Sequence, residues 1–238
     1  MSRLKGAAAV FACAAASVFL LTALIIISVE AYALNENFYK DEYEKLDTAQ
    51  SAGMTERDLT DVTQRLISYT RGEAESLDMK AYIGGGVREV FGEREKEHMV
   101  DVRGLYLSAK AVRMYGLITA VILIVCAVAL KRKYALPLLC RSFLSVSGAF
   151  LALVGAAGLW AALDFPTFWT TFHHIFFTND LWILNPKTDV LIMMVPQRFF
   201  YDLVLSILTL FASLFAVLNA AAATVVYINK KKAGKGTV

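Results

Sequence analysis

Residues 6–34 read GAAAVFACAAASVFLLTALIIISVEAYAL, and no charged side chain interrupts them before Glu30. A helix rises 1.5 Å per residue, so about 20 apolar residues cross a hydrocarbon core of about 30 Å. This run is long enough. Arg3 and Lys5 precede it, and Ala31-Tyr32-Ala33 has the small-residue look of a leader cleavage site. The apolar run is nevertheless far longer than the roughly 7–15 residues of a signal-peptide core. More apolar blocks follow, so the segment is expected to be a retained anchor.

Three further blocks of this kind occupy residues 113–130, 142–163 and 201–228, each flanked by charge or proline. Of the 238 residues 57% are hydrophobic and only 19% are charged, against about 45–50% and about 25% in a soluble domain. Mean hydropathy is positive, at +0.52. No block carries a charge near its middle, which argues against an ion or substrate path through the bilayer. The expected fold is an all-α integral membrane protein: four transmembrane helices with an extracellular, mainly helical cap.

Lysine and arginine orient it. Arg3 and Lys5 precede the first block; Lys131, Arg132, Lys133 and Arg141 fill the 131–141 loop; Lys230, Lys231, Lys232 and Lys235 lie in the 229–238 tail. None of these three segments holds an Asp or Glu. Basic residues concentrate in cytoplasmic loops, so both termini are expected in the cytoplasm, with segments 35–112 and 164–200 outside. Cys13, Cys126 and Cys140 fall in the blocks or near the inner surface. No disulfide framework follows, and a nucleophilic cysteine on the outer face is excluded by position.

The cap, 35–112, is dense in charge of both signs, the mark of solvated helix faces. Thr55-Glu56-Arg57-Asp58 resembles a capping box with Asp in place of the usual Glu. Behind it Leu59, Val62, Leu66 and Tyr69 recur at helical spacing up to Gly72. That amphipathic helix must rest its apolar face on something, and the membrane bundle is the expected partner because the cap has few other apolar residues. Gly84-Gly85-Gly86 makes a turn, Val87 to Phe91 allows a short strand, and from about Glu95 a helix can run into the second block with Gly104 as its weak point.

Segment 164–200 differs. It runs through Phe165-Pro166-Thr167-Phe168-Trp169-Thr170-Thr171-Phe172-His173-His174-Ile175-Phe176-Phe177 to Asn179-Asp180-Leu181-Trp182, then Asp189, Pro196 and Phe199-Phe200-Tyr201. Its prolines and polar groups rule out a fifth span. An irregular, interfacial segment is expected, since aromatic rings with polar tips favour that depth and irregular backbone there needs cover.

Only three histidines exist, His98, His173 and His174, and all fall on the expected outer side. An imidazole can take and give a proton near neutral pH. The bland reading is three interfacial histidines without a role. A zinc site from His98, one loop histidine and Asp101 or Asp189 is a second, although HExxH and CxxC are absent. GxSxG, phosphate loops and nucleic-acid motifs are absent too.

Two segments together resemble the bacterial lipoprotein intramolecular transacylases. Phe91-Gly92-Glu93-Arg94-Glu95-Lys96-Glu97-His98-Met99-Val100-Asp101-Val102 looks like the family's charged run leading to His-Met and Asp-Val. Phe172-His173-His174-Ile175-Phe176-Phe177, with Trp182, Asp189 and Pro196 downstream, looks like its Phe-His-x-x-Phe-Phe motif. Arg65 to Gly72 is similar to a third, weaker stretch. The resemblance implies a Gram-positive cytoplasmic membrane enzyme that moves the sn-2 acyl chain of an S-diacylglyceryl cysteine to that cysteine's α-amine. Donor and acceptor then belong to one molecule, and no acyl-enzyme is needed.

By motif, the resemblance puts the catalytic pair on His98 and His173, with His174 at a variable position. Beside this pair, Asp101 and Asp189 are candidates to orient histidines and Asn179 to donate to an oxyanion. Tyr69, Phe172, Phe176, Trp182 and Phe200 would wall the acyl and glyceryl groups. It implies no metal and no cofactor. The partners are a diacylated lipoprotein and membrane lipid, with no nucleic acid and a monomeric working unit. A zinc-dependent outer-face hydrolase and a non-catalytic assembly protein are the alternatives.

Overall fold

The structure, a computed structural model, describes residues 2–235; the end of the expected cytoplasmic tail, 236–238, lies outside the described residues. In chain order the elements are α1 (Ser2–Ala33), α2 (Glu36–Lys45), α3 (Thr48–Ala52), α4 (Glu56–Arg71), β1 (Lys80–Ile83), β2 (Gly86–Glu89), α5 (Glu93–Lys131), α6 (Ala135–Leu163), α7 (Phe165–Phe176), α8 (Val190–Met194) and α9 (Gln197–Lys235). Among the described residues three helical runs are long and apolar enough to cross a membrane: Leu4–Ala33, Glu93–Leu163 and Gln197–Gly234. The second, at 71 residues, would be about 106 Å long as one rod. It is interrupted by a 3-10 turn at Arg132–Tyr134, where Arg132 takes φ +46°. α5 and α6 are the two sides of that break.

The chain divides into two compact units, and α1, α5, α6 and α9 each contribute residues to both. The first holds residues 2–28, 111–159 and 208–235. Ala9, Cys13, Ala16, Ser17, Ala120 and Ala127 are buried between its helices, beside a cluster of Leu21, Phe143, Phe211 and Phe215, while Phe11, Val121, Leu153 and Val217 are exposed. A soluble bundle shows the opposite. Helices in lipid gain nothing by hiding apolar surface from one another, so they pack through small residues that let backbones approach. Gly6 meets Lys131 and Gly116 meets Phe19, so α1 and α5 run antiparallel. Gly158 meets Leu208 and Phe150 meets Phe211, so α6 and α9 do as well. The molecule is an all-helical membrane protein with one small hairpin.

The second unit holds residues 29–110 and 160–207. α4 begins as its sequence indicates: the Asp58 backbone N–H donates to Thr55 Oγ1 at 3.1 Å, and the Thr55 hydroxyl donates to the Asp58 carboxylate at 2.7 Å. It ends on Gly72 at φ +81°, the left-handed cap that glycine adopts without strain. Thr55→Ala is expected to cost about 1 kcal/mol, read as a fall of about 2–4 °C in the melting temperature of the detergent-solubilised chain.

The expected partner of α4 is corrected by the structure. Leu59, Val62, Leu66 and Tyr69 bury themselves within this unit, against Tyr43, Met54, Ile83, Phe91, Met99, Val190, Leu191, Met194 and Phe199. The count of apolar residues in 35–112 was too low because segment 190–203 supplies the rest of the core. The strand expected at Val87–Phe91 exists as β2, pairing antiparallel with β1 from Lys80↔Glu89 to Ile83↔Gly86. Gly84 and Gly85 form the two-residue turn at φ +63° and +98°, the left-handed pair a type I′ hairpin requires. α5 continues through Gly104 unbroken.

Segment 164–200 is more regular than expected. Asp164 Oδ1 accepts from Thr167 N at 3.2 Å and Pro166 occupies the first turn of α7, a start signal of the kind that favours helix. Asp202 accepts from Lys45 at 2.6 Å and from Arg198 at 3.0 Å, tying α2 to the start of α9.

Candidate functional site

Three pieces of the second unit converge: the first turns of α5, the C-terminal half of α7, and the turn 177–183. α7 stacks its rings at helical spacing. Phe165 lies on Trp169 and Trp169 on Phe172, at 5.6 and 5.3 Å between centroids; Phe172 meets Phe176 at 4.8 Å. Phe200 covers Trp169 from the side at 4.3 Å. His173 sits on the inner edge of this column, 6% exposed, whereas His174 faces solvent.

His98, in the second turn of α5 and 8% exposed, brings its ring to 6.2 Å from that of His173. Phe177 packs against both, at 5.4 and 5.6 Å. Trp182 lies nearly parallel to His173 at 4.5 Å and meets His174 edge-on at 5.4 Å. The turn carrying Trp182 is pinned to α5 twice. Asn179 Nδ2 donates to Asp101 at 2.8 Å, and Asn179 Oδ1 accepts from Leu181 N at 3.0 Å. Arg94 donates to the carbonyl of Ile183 at 3.1 Å and also to that of Asp180.

The hydrogen bonds fix one tautomer. His173 Nδ1 lies 2.7 Å from the Trp169 carbonyl oxygen. A carbonyl only accepts, so Nδ1 carries the proton and Nε2 holds a free lone pair. His98 Nδ1 is buried without a partner among the described residues, and so is Trp182 Nε1. Burial, and then the neighbouring His173 ring, push His98 down to about 4, with the Asp101 carboxylate pulling the other way. His173 is held below the ordinary histidine range chiefly by burial; its bond to Trp169 opposes this and His174 adds to it. Both imidazoles are therefore neutral at physiological pH, and each disfavours charge on the other.

The structure brings His98, His173, Asp101, Phe172, Phe176, Asn179, Trp182 and Phe200 into one neighbourhood. Two further residues of the expected set have partners of their own. Tyr69 is buried in the core of α4 with the Arg103 guanidinium over its ring at 4.9 Å. Asp189 accepts from Asn185 N at 2.7 Å and from the Thr188 hydroxyl at 2.8 Å, at the start of α8. Asn179 has its oxygen and one N–H engaged in holding the turn. Sequence reasoning missed Trp169, whose carbonyl sets the His173 tautomer; its place four residues before His173 in a helix was the available signal. It also missed Glu95, a buried carboxylate hidden in a run of exposed charges. A cavity of about 450 Å³ between α2 and α4, lined by Glu36, Tyr39, Tyr43, Glu44 and Thr63 among others, holds no histidine, serine or cysteine.

Among the described residues no three His, Cys, Asp or Glu side chains converge as a metal ion would need, so the zinc reading lacks a donor set there. A polytopic helical membrane protein with two buried, neutral histidine rings 6.2 Å apart among aromatic rings holds groups that can take and give protons. The family model for lipoprotein intramolecular transacylase Lit matches residues 14–200. The chain belongs to this family, and is thereby an acyltransferase of lipoprotein processing. The fold agrees: the solved structure of the membrane integral lipoprotein intramolecular transacylase Lit from Bacillus cereus superposes with a TM-score of 0.71 at 20% identity, covering 98% of each chain. Two forms of that protein with one histidine replaced superpose at 0.72, with 18% and 20% identity over 97% of each chain. No curated protein matches the chain.

Proposed function

We propose that this enzyme moves the sn-2 acyl chain of an S-diacylglyceryl cysteine onto the α-amine of the same cysteine, leaving an N-acyl lyso-lipoprotein. The observation that carries the reading is the His98–His173 pair. Segments 75 positions apart bring two buried, neutral imidazoles to 6.2 Å, next to rings that suit acyl and glyceryl groups. The positive charge in the 131–141 loop and tail supports four spans with cytoplasmic termini, which puts both histidines on the outer side, where lipoprotein amines lie.

The free amine nitrogen attacks the sn-2 ester carbon, forming the C–N bond and a tetrahedral oxyanion. His173 Nε2 takes a proton from that nitrogen. The intermediate then collapses, the bond from carbon to the glycerol oxygen breaks, and His173 returns the proton to that oxygen. His98 donates its one N–H to the departing oxygen; a neutral imidazole with a depressed pKa is a good electrophile of this kind. Nothing is gained or lost in total. Bringing amine and ester together on one substrate supplies the larger part of the acceleration.

The rearrangement conserves mass, so fragmentation is needed to see it. The full chain is expressed in a bacterium whose lipoproteins carry a diacylglyceryl group and a free amine. Tandem mass spectrometry of their N-terminal lipopeptides should show an N-acyl fragment and loss of only one acyl chain from glycerol. Unrearranged lipopeptides, with the chain folded and in the membrane, would sink the proposal.

A further inference from the structure

The site contains two buried polar atoms without partners among the described residues, His98 Nδ1 and Trp182 Nε1. The first belongs to a ring already given a role. The second is unexplained. An indole N–H can only donate, buried indoles usually find an acceptor, and an unpaired buried donor destabilises the fold. The surroundings do not supply one, yet they hold this ring with care. Its face lies on His173 at 4.5 Å and 29°, its edge meets His174, and its turn is tied to α5 through Asn179–Asp101 and through Arg94. A donor fixed beside the base and left unbonded fits an acceptor that arrives with the substrate.

We infer that the Trp182 indole N–H donates to the carbonyl oxygen of the sn-2 ester and stabilises the oxyanion that forms when the amine attacks. This rests on the transacylase reading above. Asn179, the other amide nearby, has an N–H on Asp101 and its oxygen on Leu181 N; it positions the donor. The bond to the ester oxygen is weak in the ground state and strengthens as that oxygen gains charge, which is how a preorganised donor lowers a barrier without tightening substrate binding.

The test replaces Trp182 by benzothienylalanine in the full chain, which keeps the bicyclic shape and stacking but puts sulfur where the N–H was; Trp182→Phe is a second variant. Conversion of a synthetic diacylglyceryl lipopeptide is followed in detergent or vesicles. The expected result is a kcat lower by about 10²- to 10³-fold, with KM within about threefold and a melting temperature no lower than the parent's, because the variant no longer buries an unpaired donor. A lipopeptide carrying a phosphonate at the sn-2 position, which imitates the oxyanion and cannot react, should bind the benzothienyl variant more weakly by a similar factor. That binding measurement stands even where a variant is too slow to assay. An active wild type together with a benzothienyl variant of equal kcat and equal phosphonate affinity overturns the inference and leaves the transacylase reading intact. A wild type giving no N-acyl product overturns the reading itself, and the inference with it.

Discussion

His173→Asn is expected to lower the rate of N-acyl lyso-lipoprotein formation by about 10²- to 10⁴-fold, the range that a positioned general base contributes. Asparagine keeps a polar group beside the Trp169 carbonyl but has no lone-pair nitrogen where Nε2 stood. His98→Asn is expected to fall in the same range, since it removes the N–H at the glycerol oxygen. Two groups working on one transition state are not additive, so the double variant should be no slower than about tenfold below the slower single. Losses that multiply in full would mean that the two imidazoles act in separate steps. The pH profile adds a separate check. A histidine near its ordinary pKa of about 6.5 would give an acid break there. Burial holds both rings below that range, and His98 is at about 4, so neither sets the fall in rate just below neutral pH. The substrate α-amine, with an ordinary pKa of about 7.7–8.0, does. kcat/KM should therefore fall tenfold per pH unit below about 7.7, with no second break near 6.5. A break at 6.5 that vanishes in His98→Asn or His173→Asn would show that these rings are solvated and that the buried-pair account is wrong.

Much of this was legible in the chain. The apolar blocks are visible because a bilayer demands long uninterrupted runs, and Thr55 with Gly72 marks α4 because orphan helix-end groups need those residue types. The histidines stand out because there are three. The joining of distant segments was not legible. That Leu59 and Val62 meet Val190 and Leu191 is a long-range fact, and no periodicity in either stretch encodes its partner. The same limit hid the partners of Asp189, which accepts from its own turn and raises the pKa of Glu95. It also hid Trp182's unsatisfied N–H, because whether a donor is paired depends on everything around it. The prolines and polar groups of segment 164–200 point to irregular backbone, but Pro166 falls in the first turn of α7, where it favours helix, and its rings pack on one another and on Phe200.

Glu95→Ala is expected to cost about 2–4 kcal/mol, because this side chain clamps two helix starts. Gly92 precedes α5, and Glu95 is the third residue of the helix. Its Oε2 accepts from Gly92 N at 2.6 Å, which is the returning half of a capping box. Its Oε1 accepts from Leu191 N, also at 2.6 Å, in the first turn of α8. Hydrogen bonds to a charged group contribute about 1.5–3 kcal/mol each, less what is recovered by no longer burying a carboxylate. Thermal unfolding of the solubilised chain should show a fall of about 5–15 °C for alanine. Glu95→Gln keeps one acceptor but turns an amide N–H toward the other donor, so it should lie between alanine and the parent. The pH dependence has a definite sign. Burial, and then Asp189, raise the Glu95 pKa against the lowering effect of its two backbone donors. A carboxyl group raised on folding contributes stability that is complete below its unfolded pKa of about 4.5 and declines as pH rises through the folded value. The advantage of the parent over Glu95→Gln should therefore be larger near pH 4 than at pH 7. Activity links the clamp to the site: His98 lies one turn beyond Glu95 on α5, so freeing that turn should lower kcat for alanine well below its melting temperature, with partial recovery in glutamine. Equal melting temperatures for parent and Glu95→Ala would mean that the two short bonds hold nothing, and that α5 is kept in place beside α8 by the packing of Phe91, Met99 and Leu191 alone.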